Sequence, residues 1–362
     1  MSTEASPFTA AVRSAGTRPF AYILTVIILA AVTSSFESTM MYTALPSLEE
    51  DFGVGISTAS WVLTGFLLVG AASAAISGRL GDVFGRKRVL IILLLASIIG
   101  SVVSLVAPTI GGVIIGRALQ GLAGGIMPLA FGIVREHVTS KNLSVAIAVT
   151  AGAAMLAGAA GNLIAGYIVQ FAGWHWIFVV SGLLTLVTAV LAFWLPASIR
   201  EGSRDKIDLV GGVLFAPGLA LVLFGVNAST GLGWASPIVW SVIGLGAVIL
   251  VFWGIWEARR KAPMVNVRYF AQRNLGVTFL ITALCGFGVG GAGYLGQLIM
   301  QYPREAPVGF GIDPGPAGLT SFSIGIIGFL LSPLAGRIAR GGRARVSFAV
   351  SAVVGSAAAL LT

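Results

Sequence analysis

The sequence predicts an all-α protein that crosses a membrane many times. Of its 362 residues, 57% are hydrophobic and 10% are charged, whereas soluble domains average about 25% charged residues. The apolar residues form eleven long runs that lack the alternation of β-strands. Lys and Arg gather in every second connection between these runs, as in multi-pass membrane proteins. This distribution accounts for the net charge of +9 as a topology signal, so no nucleic-acid partner is expected.

Each apolar run is a candidate membrane helix, because a helix needs about 20 apolar residues to cross the bilayer. The last run, which begins at Val346, is only just long enough at about 1.5 Å per residue. The predicted helices cover residues 20–45, 57–77, 89–107, 110–134, 143–169, 174–196, 208–227, 237–256, 275–301, 316–338 and 346–362.

The basic residues predict how the chain is oriented. With the N-terminus in the cytoplasm, 20 of the 22 Lys and Arg residues fall in cytoplasmic segments, as the positive-inside rule requires. The other two are Arg117, within the fourth helix, and Arg304, on the outer side. We therefore expect a multi-pass protein of a cell membrane with a cytoplasmic N-terminus.

A short charged hairpin, residues 78–90, lies between the second and third predicted helices. Its pattern, G-x-L-x-D-x-x-G-R-K-x-x-L, resembles the loop signature of the major facilitator superfamily. The resemblance implies a gating role for the hairpin, in which Asp82 acts as a conformational latch against a late helix. The alternative is a solvated ion pair of Asp82 with Arg86. The gating residues implied by the resemblance are Gly78, Asp82, Gly85, Arg86 and Lys87.

A second copy of the hairpin pattern occupies residues 336–346. Because the superfamily is built from two six-helix halves, we predict a six-helix bundle over 1–199, two inserted helices with cytoplasmic loops over 200–274, and the first half of a second bundle over 275–362. The inserted pair resembles the 14-helix drug:proton antiporter branch. On that comparison the chain is expected to be truncated at its C-terminus.

Two charges stand out inside the predicted helices. Glu37 is the only acid within one, and a carboxylate in hydrocarbon is costly enough that such residues usually serve function. Arg117 lies at a similar depth, about 10–12 Å below the same surface at about 1.5 Å per residue, which permits a pair or a shared hydrogen-bond network. The alternatives are a Glu37 side chain that reaches water and an Arg117 side chain tied to backbone carbonyls.

Both charges belong to segments that resemble motifs of the superfamily. Residues 36–46 resemble the first-helix motif D-x-T-I-V-N-V-A-L-P, with Glu37 at the aspartate position, and residues 116–125 resemble the fourth-helix motif R-x-x-Q-G. The resemblance implies a part in proton coupling for Glu37, and our hypothesis is that Glu37 changes protonation during transport, with Arg117 modulating it. Gln120, Trp61 and Met41 are candidates to line a central cavity, with plain packing as the alternative for the last two.

The fifth predicted helix is rich in small residues, which permit close helix crossing in membranes. Residues 157–166 resemble the antiporter motif G-x-x-x-G-P-x-x-G-G but carry Asn162 where proline is expected. Since that proline supplies a kink, the bending of this helix is in question. The motif positions are Gly158, Gly161, Asn162 and Gly166.

The resemblance implies a secondary active transporter, not an enzyme, that exports small amphipathic organic compounds or drugs by alternating access. The energy source would be the proton gradient, so no cofactor is expected. The expected partners are a small-molecule substrate, protons and the lipid bilayer of a bacterial inner membrane, with the chain acting as a monomer. Three alternatives stay open: uptake of a metabolite, a truncated remnant that does not transport, and a membrane sensor built on the same fold.

Overall fold

The structure, a computed structural model, describes residues 20–137, 140–198, 209–260, 272–304 and 308–338, with four further positions between 260 and 272. All regular elements in this part of the chain are helices. They are α1 Phe20–Thr39, α2 Leu45–Phe52, α3 Ile56–Ala59, α4 Trp61–Phe84, α5 Arg86–Val106, α6 Ile110–Gly121, a 3₁₀ turn Leu122–Gly125, α7 Ile126–His137, α8 Ser140–Ala172, α9 His175–Phe193, α10 Leu209–Leu232, α11 Pro237–Arg259, α12 Arg273–Gln301 and α13 Pro314–Ile338.

The helices confirm the predicted fold class. Within the described residues, seven helical stretches are long and apolar enough to cross a membrane by length and composition. The helices α10, α12 and α13 add 24, 29 and 25 residues at three further predicted positions. The predicted helix over 346–362 and most of the second hairpin copy lie outside the described residues. The division of the chain at residues 199 and 274 stays a prediction.

The prediction of one unbroken helix over residues 20–45 is wrong at its end. α1 stops at Thr39, residues 40–44 form turns, and α2 begins at Leu45. Pro46 explains the new start, because proline lacks an amide donor and fits the first turn of a helix rather than its interior. Glu37 therefore lies two residues before the end of its helix, not eight.

The charged hairpin is not an irregular loop. α4 continues to Phe84 and α5 starts at Arg86, so Gly85 alone separates the two helices. Gly85 has a φ of 96°, a conformation that side-chain-bearing residues rarely adopt. The motif residues therefore belong to two helix ends that are joined by one glycine hinge.

Two apolar clusters fill the interior on either side of Glu37. Ile27 and Ala30, which precede it in α1, pack in one cluster with residues of α5 and α7. Met40 and Met41, which follow it, pack in a second cluster with α2, α4 and α9. We call the end near the first cluster the basic end, since it carries the hairpin cations, and the other the acidic end, which carries Glu49, Glu50 and Asp51.

The crossing of α5 and α6 brings two helix backbones into direct contact. A Cβ atom built at Gly116 would lie 2.6 Å from the Ser104 amide nitrogen and 2.7 Å from the Gly100 carbonyl oxygen. Real side chains do not approach backbone this closely, so only glycine fits the crossing. The crossing places the next turn of α6, with Arg117 and Gln120, inside the bundle.

Candidate functional site

Glu37 is fully buried and held by hydroxyl groups. Its Oε1 accepts hydrogen bonds from Ser97 Oγ at 2.6 Å, Thr185 Oγ1 at 2.9 Å and Ser181 Oγ at 3.3 Å. Its Oε2 is equally inaccessible and has no hydrogen-bond partner. Since a buried carboxylate is costly unless it is hydrogen-bonded, the three hydroxyls offset part of that cost at one oxygen only.

Arg117 is also fully buried. Its Nη1 donates to Gln120 Oε1 at 2.9 Å, its Nε donates to the Val62 carbonyl at 3.4 Å, and its guanidinium lies 4.1 Å from the centroid of the Phe66 ring. An arginine over an aromatic face gains a favourable cation–π interaction. Arg117 Nη2 has no hydrogen-bond partner, so the guanidinium keeps one free donor group.

Gln120 connects the two charges. Its Nε2 donates to Ser101 Oγ at 2.7 Å and to Ser181 Oγ at 3.3 Å, and Ser181 in turn donates to Glu37. Among the ion pairs of the described residues, none joins Glu37 to Arg117 directly. The structure therefore links the two charges through a buried network of one amide and several hydroxyls.

The hydroxyl residues of this network are not among the site residues predicted from the sequence. α5 and α9 each carry three buried hydroxyls at the spacing i, i+4, i+7, which places them on one helix face. Such a polar stripe in an apolar helix is a usable signal, because it indicates a face turned away from lipid. The two stripes are Ser97, Ser101 and Ser104 on α5, and Ser181, Thr185 and Thr188 on α9.

The gating candidates of the hairpin meet around Arg86. Arg86 Nη2 contacts Asp82 Oδ1 at 2.8 Å, and Arg86 Nη1 contacts Glu136 Oε1 on α7 at 2.6 Å. A Cβ atom at Gly132 would lie 2.6 Å from the Arg86 side chain. The glycine therefore leaves room for Arg86 to reach Glu136. Arg86 thus ties α4, α5 and α7 together.

The other hairpin candidates play different structural parts. Lys87 Nζ donates to the Phe193 carbonyl at 2.7 Å, which connects α5 to the end of α9. Gly78 lies within α4, and no atom lies within 4 Å of a Cβ built there. Gly85 forms the hinge between α4 and α5. Asp82 has its ion pair with Arg86 within the same hairpin.

Replacing Arg86 with lysine is expected to lower thermal stability, because one ammonium group cannot span two carboxylates as a planar guanidinium does. The loss should be about 1.5–3 kcal/mol, the range for a hydrogen bond to a charged group. Thermal unfolding of the detergent-solubilised protein measures it. Arg88→Lys is the matched control, since Arg88 is exposed. Equal melting temperatures for both variants would contradict the bridging role.

The small-residue motif of α8 is packed between two helices. On one side, Thr39 Oγ1 donates to the Gly158 carbonyl at 2.7 Å. A Cβ atom built at Gly161 would lie 2.6 Å from that Thr39 hydroxyl oxygen. On the other side, Gly166 contacts the backbone of Pro314. Asn162 is buried and its Oδ1 has no partner. The motif therefore brings α1 and α13 close to α8.

The remaining cavity candidates are separate from the network. Trp61 is half-buried and its ring centroid lies 5.6 Å from that of Phe224 on α10. Met41 is fully buried in the apolar cluster of the acidic end. Of the three candidates, only Gln120 takes part in the Glu37–Arg117 network.

Comparison with known sequences identifies a family. Residues 27–362 match the family described as Major Facilitator Superfamily. The chain is 31% identical over 295 residues to a protein of Mycobacterium tuberculosis named Multidrug resistance protein B homolog, a match that covers 78% of this chain and 54% of that protein. It is 30% identical over 306 residues to Puromycin resistance protein pur8 of Streptomyces alboniger, covering 82% and 59%. The chain thus spans little more than half the length of these relatives.

Solved structures share the fold. A peptide transporter POT in complex with sulfate superimposes with a TM-score of 0.65 at 14% identity, covering 94% of this chain and 73% of that one. The xylose transporter XylE from E. coli gives a TM-score of 0.55, also at 14% identity, covering 88% and 72%. At this level of identity the likeness concerns the fold alone.

Proposed function

The chain belongs to the major facilitator superfamily, and from this premise we propose that it exports small amphipathic organic compounds in exchange for protons. Relatives named for resistance to several drugs and to puromycin support export as the direction and drug-like molecules as the cargo. The proton as coupling ion is supported by the chemistry of the buried network. In this proposal the two halves of the fold expose the cargo to each side of the membrane in turn.

The observation that carries the proposal is that the two Glu37 carboxylate oxygens differ in their hydrogen bonding. Oε1 accepts all three hydroxyl bonds, whereas Oε2 has none. A proton can therefore bind at Oε2 without disturbing the hydroxyl contacts at Oε1. When the proton leaves, the negative charge keeps its hydroxyl donors and gains the field of Arg117, which Gln120 and Ser181 connect to it. The two protonation states thus share the same hydroxyl contacts, so the change of charge does not require the network to rearrange.

Arg117 has a modulating role in this proposal. Its charge is fixed, because guanidinium groups stay protonated in proteins, and its Nη1 is bonded to the amide that also reaches Ser181. A change of charge at Glu37 is therefore transmitted to Gln120 through one hydroxyl. We therefore assign to Gln120, rather than to Trp61 or Met41, the part that couples the protonation of Glu37 to cargo movement.

The hairpin at the basic end is proposed as a gate. Arg86 holds α4, α5 and α7 through two ion pairs, and Gly85 is the single residue between α4 and α5. Opening at this end requires these ion pairs to separate. The small-residue motif of α8 is proposed as the surface on which α1 and α13 move relative to each other.

Transport by the purified chain in sealed vesicles tests the proposed function. Vesicles are loaded with rhodamine 6G, and a pH gradient is imposed across the membrane. Movement of the dye that needs the protein, follows the gradient and stops with a protonophore is the expected result. Dye movement that is unchanged by the protonophore would contradict proton coupling. Absence of protein-dependent movement would contradict export by this chain.

A further inference from the structure

The acidic end holds an aromatic contact between the first and last parts of the chain. The Tyr42 ring, in the turn after α1, lies 5.8 Å from the Tyr294 ring of α12, with an angle of 59° between the planes. Ser60 Oγ and the Tyr294 hydroxyl are 3.4 Å apart. Tyr302, just after α12, packs against the same apolar cluster as Tyr42 and Tyr294. Tyrosines from both parts of the chain therefore border one apolar cluster, and we call these three side chains the tyrosine wall.

Glu49 of α2 presents an unsatisfied carboxylate oxygen beside this wall, because its neighbour Leu48 is buried in the apolar cluster against which the tyrosines pack. Its Oε1 is inaccessible to solvent and accepts no hydrogen bond. Burial raises the pKa of Glu49, and the pKa of Tyr302 is raised by burial and then by the negative charge of Glu49. Glu49 and Tyr302 are therefore within electrostatic reach of each other. A cation placed between them would restore the favourable charged state of the carboxylate.

Gln301, at the end of α12 and one turn after Leu298 of the same apolar cluster, offers a second unsatisfied acceptor. Its Nε2 donates to Gln297 Oε1 at 3.3 Å, and Gln297 Nε2 donates to the Ala317 carbonyl at 2.9 Å and to Ser321 Oγ at 2.7 Å. These bonds fix the donor side of the Gln301 amide. Its Oε1 is buried and has no partner, although an unpaired buried acceptor costs free energy.

We propose that Glu49, Gln301 and the tyrosines Tyr42, Tyr294 and Tyr302 form a binding site for an organic ammonium ion. The two free oxygens accept hydrogen bonds from its N–H groups, and the carboxylate balances its charge. The tyrosine faces contact its apolar part and attract its positive charge. Because the tyrosines come from both parts of the chain, the ligand enters when Tyr42 and Tyr294 separate. The inference rests on the proposed function in one respect only: the ligand is taken to be cargo.

Equilibrium binding of rhodamine 6G, an aromatic cation with N–H groups, tests the site. Fluorescence anisotropy is measured with the full chain in lipid nanodiscs, without any gradient. Glu49→Gln is expected to weaken binding about tenfold or more, as expected for the loss of a charge-assisted hydrogen bond. Glu50→Gln is the matched control, because Glu50 is the exposed neighbour on the same helix and its loss changes the net charge equally.

A second variant separates hydrogen bonding from charge. Gln301→Leu is expected to weaken rhodamine 6G binding severalfold but to leave tetraphenylphosphonium, a cation without N–H groups, unaffected. Thermal unfolding of each variant shows that the protein remains folded. Binding that is unchanged in Glu49→Gln, or weakened equally in Glu50→Gln, would overturn the proposed site.

The binding and transport experiments fail independently. If rhodamine 6G binding depends on Glu49 but no gradient-driven movement occurs, the site stands and the proposed function falls. If the dye moves with the gradient but binding ignores Glu49 and Gln301, the proposed function stands and the site falls.

Discussion

Replacing Glu37 with glutamine is expected to stop proton-driven transport while the protein stays folded. The glutamine oxygen can still accept the hydroxyl bonds of Ser97 and Thr185 that Glu37 Oε1 accepts, so the size and most contacts of the side chain are preserved. An amide neither binds nor releases a proton near neutral pH. The initial rate of gradient-driven export should therefore fall to the rate that remains after a protonophore is added, because the intramembrane carboxylate that binds the coupling proton is gone. Vesicles with an imposed pH gradient measure that rate.

Cargo exchange without a gradient sharpens this experiment. Glu37→Gln resembles the protonated state, so it should still exchange labelled for unlabelled cargo across the membrane. Glu37→Asp keeps the carboxyl group but shortens it by one methylene, which should preserve part of the gradient-driven rate. Glu50→Gln removes an exposed acid and should leave both measurements unchanged. Wild-type gradient-driven export in Glu37→Gln would contradict the role of Glu37 in coupling.

The fold was predictable because lipid imposes a simple constraint on the chain. Every backbone group in hydrocarbon must be bonded internally, so long apolar runs such as those of α5 and α9 can only be helices. A connection between two helices around Gly85 was also predictable, because clustered basic residues mark the cytoplasmic connections between membrane helices. The pattern did not show that a single glycine is enough to connect α4 to α5. The rest of the motif is therefore helical.

The helix break after Thr39 shows where this reasoning stops. Residues 40–45 are as apolar as the helix before them, and bilayer length alone does not place the boundary. The relevant signal is Pro46, which starts α2 and leaves a turn before it. The break matters for the site, because Tyr42 lies in that turn and Glu49 lies in α2.

The charged members of the network were predictable individually, but their connection was not. A carboxylate or guanidinium in an apolar run is conspicuous, and Glu37 and Arg117 were named for that reason. Ser181 is one of many serines in this sequence, and only the packing of α9 against α5 and α1 makes it the link between them. The Tyr42–Tyr294 contact joins residues far apart along the chain, and nothing in either local sequence indicates the other.

The backbone contact at Gly116 leads to the second large effect. Replacing Gly116 with alanine is expected to destabilise the protein, because the new Cβ would lie 2.6 Å from the Ser104 amide nitrogen and 2.7 Å from the Gly100 carbonyl oxygen. Neither backbone atom can rotate away as a side chain would, so α5 and α6 must move apart. Overpacking of this kind costs about 1–3 kcal/mol, and sometimes more. Thermal unfolding in detergent measures the loss.

Gly244→Ala provides the matched control for that measurement. Gly244 also lies within a helix, α11, but no atom is within 4 Å of a Cβ built there. Because alanine favours helix over glycine by up to about 1 kcal/mol, this variant should be unchanged or slightly more stable. The same substitution is therefore expected to act in opposite directions at the two positions. A Gly116→Ala protein that melts at the wild-type temperature would show that α5 and α6 do not depend on backbone contact to hold Arg117 and Gln120 in the interior.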